Sequence, residues 1–358
     1  MKKLAVNTKR LLNALCELLL TITMTFVAGA ALVGCDVHEF PVIVEESIPD
    51  PVIPTSRKML LHLQFDTLMP LYRNVTVSQT KSSAGRAAMA EDGYDVRYIV
   101  NVYPNVDGGI SRKLDTSFVF TRDRVDSLDY TAQIELEGGD YTLLVWSDYI
   151  ERGTNTDYFY NTGDFTKINI AGDEYVGRND YRGAYRGCRQ SFVQAPVSPS
   201  DTLAQIVDIQ MVRPMAKYRF ISTDYRQFIA ESKVHDISGY KIMFKYSGYM
   251  PHQFNMFTNR PSDSKTGVTY GSSIEALGEE EALLGFDYVF VNGNESSVQV
   301  ALHVEDNEGN KVADIGTIDI PLVRGKITEV RGTFLTSRAG GGIGIDAGFD
   351  GEYNIFIK

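Results

Sequence analysis

The residue whose surroundings most plainly prescribe a reaction is Cys35. It ends the run Leu32-Val33-Gly34-Cys35, a lipobox pattern in which a peptidase cuts before the cysteine, the thiol is diacylated and the new amine is acylated. What precedes it fits. A basic start (Lys2, Lys3, Lys9, Arg10), an apolar run from Leu11 to Val33 and small residues before the cut read as a secretory signal over residues 1–34. An uncleaved membrane helix is the competing reading, since about 20 apolar residues cross a bilayer, but Asn13 and Glu17 interrupt this run. Acyl chains bury methylenes at about 0.8 kcal/mol each, so lipid on Cys35 would hold the chain to a membrane with no spanning helix.

The other reactive residue types form no constellation. Of three cysteines, Cys16 leaves with the signal and Cys35 is lipidated, so only Cys188 remains and no intramolecular disulfide is possible. Cys188 reads as a packed small residue because no histidine is near it in sequence, although Arg186 and Arg189 leave a mildly activated thiol open. The five histidines, His38, His62, His235, His252 and His303, never fall at metal-ligand spacing. His38 and His62 read as solvated side chains. Gly342-Ile343-Gly344-Ile345-Asp346-Ala347 matches a dinucleotide-binding pattern, but too little chain follows for the helix and second strand. Asp306-Asn307-Glu308-Gly309-Asn310 has calcium-loop chemistry, but Lys311 stands where such a loop needs Gly, so a β-turn is expected. No catalytic residue, metal or cofactor is expected.

Aromatic side chains offer a binding chemistry instead. Tyr158-Phe159-Tyr160 with Tyr175, Tyr181 and Tyr185 could stack on the apolar faces of sugars, with Tyr160 and Tyr181 as the contacts. Packing of a loop over a sandwich end explains them equally, and Asn155, Asp157, Asn161 and Asp164 supply turn chemistry there without a ligand. Nucleic acid is not an expected partner: the formal charge is -11, and no block of Lys or Arg offsets it.

These residues need a scaffold, and the composition points to strands. With 43% hydrophobic and 23% charged residues the chain is globular, and 18 Phe and 20 Tyr beside 31 Gly favour strands and turns. Residues 35–56, with Pro41, Pro49, Pro51, Pro54 and several acids, form an extended acidic tether. Period-two alternation then runs through Met59–Phe65, Val96–Val102, Ala132–Leu136 and Tyr141–Val145, with Glu137-Gly138-Gly139-Asp140 as a hairpin turn between the last two. Arg73 to Gly93 reads as a loop. A second series of short strands runs from Ile206 to Ile320, including a hairpin around Asn307–Asn310, while Tyr225–Glu231 and Ser273–Leu284 are helix candidates. The fold class is all-β: one sandwich over 57–195 and another over 202–358, divided at Gln194–Asp201.

Several segments together resemble the fimbrial anchor lipoproteins (minor fimbrillin family) of Bacteroidales type V fimbriae. They are Cys35-Asp36-Val37-His38-Glu39-Phe40-Pro41, Gly139 to Tyr149, Tyr181-Arg182-Gly183-Ala184-Tyr185-Arg186-Gly187, Arg213-Pro214-Met215-Ala216-Lys217 and Gly341 to Tyr353. The resemblance implies two transthyretin-like β-sandwich domains and a non-enzymatic role in attaching and assembling fimbriae. It also implies fimbrial shaft or accessory subunits as partners and the outer membrane, facing outward, as the location. A surface glycan-binding lipoprotein is the alternative. In the tail, Tyr353, Ile355 and Ile357 share one face, so this segment is either donated to a partner or, as expected here, packs internally as a final strand. Stalk relatives of this kind are cut near a basic residue, and Arg57 holds that position, but a cut there would discard the anchor, so it is expected to stay intact.

Lipid attachment is testable directly. Cys35→Ala should abolish incorporation of a fatty-acid analogue and release the protein from the envelope or leave it unprocessed; undiminished labelling of the variant would refute the assignment.

Overall fold

The computed structural model describes residues 53–76, 93–123, 127–232, 237–336, 343–346 and 353–357. Residues 1–52, which hold the expected signal, Cys35 and most of the expected tether, lie outside the described residues. The β-favouring runs become strands, in chain order β1 (Ser56–Phe65), β2 (Leu71–Thr76), β3 (Tyr94–Val106), β4 (Gly109–Ile110), β5 (Thr116–Arg122), β6 (Tyr130–Glu137), β7 (Gly139–Glu151), β8 (Tyr160–Asn161), β9 (Ile168–Ile170), β10 (Tyr185–Val193), β11 (Gln205–Met211) and β12 (Met215–Ser222). Helix α1 (Tyr225–Ser232) follows. Then come β13 (Lys241–Tyr246), β14 (Met250–Asn255), β15 (Arg260–Lys265), β16 (Thr269–Ser273), β17 (Glu275–Ala276), β18 (Ala282–Phe290), β19 (Glu295–Glu305), β20 (Lys311–Val323), β21 (Ile327–Gly332), β22 (Ile343–Asp346) and β23 (Tyr353–Ile357). Among the described residues no helix is long and apolar enough to cross a membrane.

The fold is an all-β assembly of sandwiched sheets. β11-β1-β6 packs against β10-β7-β3, which β5 extends along β3. The remaining sheets are β17-β18-β12-β21-β2-β23-β22, β16-β13-β19-β20 and β15-β14-β9-β8. The alternation in β1 does what its period dictates: Met59, Leu61 and Leu63 are buried while His62 turns out beside Asp208. In β3 and β7 alternate residues enter two different cores. Val96, Tyr98, Val100, Leu143 and Val145 pack with Met59 and Leu61, whereas Ile99, Tyr103, Leu144 and Trp146 face Phe254, Phe290 and the remaining sheets. A sheet covered on both faces needs apolar residues at successive positions, which accounts for Leu143-Leu144-Val145-Trp146.

This central sheet carries its own buried charge. Arg97 on β3 donates through Nε and Nη2 to Asp148 on β7 at 2.9 and 2.7 Å, and Nη1 lies 2.8 Å from Asp157. Trp146 Nε1 also donates to Asp148, at 3.2 Å. Arg97 and Asp148 are buried as a satisfied pair, the arrangement that a low-dielectric interior tolerates.

Four expectations need correction. Glu137-Gly138-Gly139-Asp140 is not a hairpin: β6 pairs with β1 and β7 with β3, so the chain turns a corner between facing sheets. A Cβ on Gly138 would meet Ala195 at 2.8 Å, so this corner needs glycine. Ser273–Leu284 is strand, turn and strand rather than helix, because pairing with β13 and β12 overrides its helix-forming residues. Arg73–Thr76 belongs to β2, and residues 77–92 of the expected loop lie outside the described residues. Finally, the sheet sets are not contiguous in sequence, since β2 pairs with β21 while β11, beyond the 194–204 loop, returns to pair with β1. The α1 helix and the β19–β20 hairpin match expectation.

Trp146 is fully buried, with its ring edge-on to Tyr160 at 5.4 Å. Trp146→Ala should lower stability by about 3–5 kcal/mol, read as a fall in the urea midpoint. Val119→Ala, at an exposed position on β5, should change stability by less than about 0.5 kcal/mol; equal effects would contradict this core assignment.

Candidate functional site

The segments Tyr181–Gly187 and Arg213–Lys217 meet in space. Asn179 caps a short 3-10 turn, Asp180–Arg182, by accepting from the Tyr181 N–H, and this turn sends the Arg182 side chain inward. Arg182 Nη1 donates to Asp287 Oδ1 on β18 at 2.7 Å and to the Val176 carbonyl at 3.0 Å. The Tyr288 N–H also donates to Oδ1, and Oδ2 accepts from the hydroxyls of Tyr175 and Tyr246 at 2.6 and 2.7 Å. Tyr218 donates to Tyr246 and shares a hydrogen bond with Tyr270. The Arg182 guanidinium sits 4.4 Å above the Tyr175 ring, a cation–π contact worth more away from water.

Around this centre the two segments interlock. Lys217 and Tyr288 both donate to Asp180 Oδ1, at 2.6 and 2.7 Å, and Arg213 lies 4.3 Å above the Tyr185 ring. Arg186 bridges to Val212 along the backbone, and its side chain donates to the Met256 carbonyl. A Cβ on Gly187 would lie 2.5 Å from Met211 Sδ and 2.6 Å from Ile209 Cγ2, so any larger residue would have to displace both side chains where β10 approaches β11.

Burial raises the Asp287 carboxyl against the pull of Arg182, and burial raises the phenols of Tyr175, Tyr218, Tyr246, Tyr270 and Tyr288 well above their ordinary range. Clusters of shifted groups often mark catalysis. Here Asp287 is 1% exposed and both its oxygens are engaged, so no reactant has access. This centre fastens sheets together.

An outward-facing candidate lies at the 194–204 loop. Arg57, at the start of β1, donates to Asp201 through Nη2 at 2.6 Å, to the Leu203 carbonyl at 2.9 Å and to the Gln194 carbonyl. Hydrogen bonding from Arg57 draws the Asp201 carboxyl below the usual range. So fastened, the loop and its flanking strands present Phe192, Val197, Leu203 and Ile206 at 68%, 72%, 79% and 60% exposure. Exposed apolar side chains gathered in one region suit contact with a protein.

Tyr160 and Tyr181 need correction as sugar contacts. Tyr160 is fully buried, packed on Trp146 and Phe290 and donating to the Arg182 carbonyl; Tyr181 is 8% exposed and packs on Tyr94 and Tyr149. A stacking platform needs open ring faces, and in that stretch only Tyr158 is exposed. Cys188 is exposed rather than packed, on β10 at the edge of its sheet. Tyr353, Ile355 and Ile357 fall on β23, whose backbone lies between β2 and β22; their side chains lie outside the described residues, as does Cys35. Sequence reasoning missed Asp287. Its signal was a lone acid inside the apolar run Phe286-Asp287-Tyr288-Val289-Phe290.

The model of DUF6562, a family of unknown function, matches residues 55–358. No curated protein matches the chain. Similar solved structures include the fimbrial anchor protein Mfa2 from Porphyromonas gingivalis, at 14% identity over 84% of this chain and 97% of that one, with a TM-score of 0.38. Another is a candidate polysaccharide binding protein from Bacteroides thetaiotaomicron, at 13% identity over 73% of this chain and 80% of that one, TM-score 0.42. A third is a candidate cell adhesion protein from Bacteroides uniformis, at 10% identity over 85% and 98% of the two chains, TM-score 0.40.

The raised phenols fix a pH dependence. A tyrosine whose pKa is higher folded than unfolded contributes stability below pH about 10 that is lost as pH rises, at about 1.4 kcal/mol per pH unit for each such group. Tyrosinate absorbance should therefore lag behind that of free tyrosine and then appear with cooperative unfolding. Smooth ionisation near the ordinary pKa without unfolding would show that the cluster is open to water.

Proposed function

The chain belongs to the DUF6562 family, and on that premise we propose that it is a non-enzymatic surface lipoprotein that attaches and helps assemble fimbriae at the outer membrane. In this reading lipid on Cys35 holds the protein to the membrane, residues 35–56 space it from the surface, and the two sandwiches, 57–195 and 202–358 with β2 and β11 exchanged between them, carry the fibre contacts. The observation that carries the reading is the apolar surface of Phe192, Val197, Leu203 and Ile206, fastened by Arg57 to the first residues after the tether. A shaft subunit seated there would bind at the base of the folded part, where the tether joins it.

Two features support an uncut chain. The Arg57 side chain is 11% exposed and engaged by the loop, and its backbone pairs with Leu136 on β6, so a protease would have to extract it from a sheet. At the other end, β23 pairs within this chain, in parallel with β2 and antiparallel with β22. Tyr353, Ile355 and Ile357 then complete the chain's own sheet, with donation to a partner strand as the competing role. Glycan binding through Tyr160 and Tyr181 is not retained, because both rings are buried.

The double variant Phe192→Asp, Leu203→Asp alters only exposed side chains. It should remain folded and lipidated but retain fimbriae on the cell at least about tenfold less well, the loss expected for about 1.4 kcal/mol of binding. Fibre shed into the medium measures this, and shedding equal to the unaltered protein would overturn the assignment of this surface.

A further inference from the structure

A cleft of about 490 Å³ opens between the turn after β9, strand β14 and the β15–β16 turn. His252 lines it. The imidazole is 8% exposed, yet among the described residues it makes no hydrogen bond or ion pair. Its ring nitrogens are not among the sealed, unpaired polar atoms of the interior, so they open onto the cleft with their hydrogen-bonding capacity uncommitted to protein. Three more uncommitted groups stand at the same cleft: Asp173, Glu174 and Lys265 are exposed and form no ion pair among the described residues.

The walls are aromatic in a particular sense. Tyr175 and Tyr270 line the cleft, but their hydroxyls turn away from it, to Asp287 and Tyr218. Arg182 covers one face of the Tyr175 ring and Tyr270 is nearly buried against Phe244, so the aromatic carbon left to the cleft is chiefly that of the half-buried Tyr175. Burial, with the charges of Lys265 and Arg182, lowers the His252 pKa to about 4, so near neutral pH the ring carries one donor and one acceptor. A hydroxyl group is likewise both. Lys265 adds donors and the two carboxylates add acceptors, so charges of both signs meet at the rim and no single ionic ligand is favoured.

We propose that this cleft is a saccharide-binding site, seating one pyranose residue of a neutral polysaccharide against the Tyr175 ring with its hydroxyls on His252, Lys265 and the Asp173–Glu174 pair. Aromatic carbon against the sugar's C–H face and convergent donors and acceptors at its edge are the chemistry such a ring requires. The site lies on elements other than the 194–204 loop and stands whether or not the protein anchors a fimbria.

Saturation-transfer NMR on the detergent-extracted, lipidated protein tests it, with maltotriose, cellotriose, xylotriose and mannotriose as probes and trigalacturonate and triglycine as comparisons. At least one neutral trisaccharide should receive magnetisation at its ring protons and shift the His252 Cε1–H resonance. His252→Ala should abolish that transfer. Lys265→Ala, at an exposed position that cannot disturb the core, should weaken binding about tenfold and decides the matter if the histidine variant does not fold. The proposal is overturned by transfer to none of the neutral sugars, by transfer unchanged in Lys265→Ala, or by binding of trigalacturonate or triglycine alone.

Discussion

Taking a carboxylate out of water costs several kcal/mol even after a protein relaxes around it, and Asp287 is almost wholly out of water. It is tolerated there because donors converge on it from four places: Arg182, the Tyr288 N–H, Tyr175 and Tyr246. These donors come from the 3-10 turn, the loop before it, and strands β13 and β18. Each must be in place or the charge is left uncompensated, so one ion pair fixes the positions of several elements at once. The interlocking of Tyr181–Gly187 with Arg213–Lys217, the burial of Tyr160 and the walls of the His252 cleft all follow from where Arg182 and Asp287 are held.

What was legible in the sequence is what depends on a single buried face. Met59, Leu61 and Leu63, or Ala132, Ile134 and Leu136, alternate with polar residues because each strand has one face in a core and one in water. Patterns failed where a second long-range surface intervened. Leu143 to Trp146 feed two cores, and no local period reveals which residue enters which. Glu137–Asp140 has hairpin composition, and only the pairing of β6 with β1 and β7 with β3 shows it to be a corner. The Ser273–Leu284 segment is rich in Glu, Ala and Leu, which favour helix in isolation, and sheet pairing overrides that preference. Tyr160 and Tyr181 look like a platform because their polar neighbours belong to turns, while the apolar partners that bury them, Phe290 and Tyr94, are distant in sequence. The pairing of Arg57 with Asp201 is likewise made by a contact across the fold rather than by spacing.

Among the described residues Cys188 is the one cysteine, so these sheets are fastened without disulfides, and buried ion pairs recur where sheets join. Arg97 and Asp148 tie β3 to β7. Arg331 pairs with Glu329 and Glu281, and Arg219 with Glu329, linking β21, β12 and the turn before β18. Such pairs contribute little net stability compared with hydrophobic residues of equal size, but they are intolerant of slippage, because a shift of one register would leave charges buried alone. In a molecule built almost wholly of strands, register is the property most easily lost.

The place of β1 carries a mechanical consequence. This first described strand is flanked on both sides, antiparallel to β6 from Ser56 to Leu63 and parallel to β11 from Met59 to Phe65. Were tension applied along the strand axis from its N-terminal end, the ladders to β6 and β11 would be loaded together in shear. Hydrogen bonds loaded in that way share the force and must fail at once, whereas an edge hairpin pulled from its open end would unzip one bond at a time. A strand held in the middle of its sheet makes a three-stranded β-sheet a grip against traction.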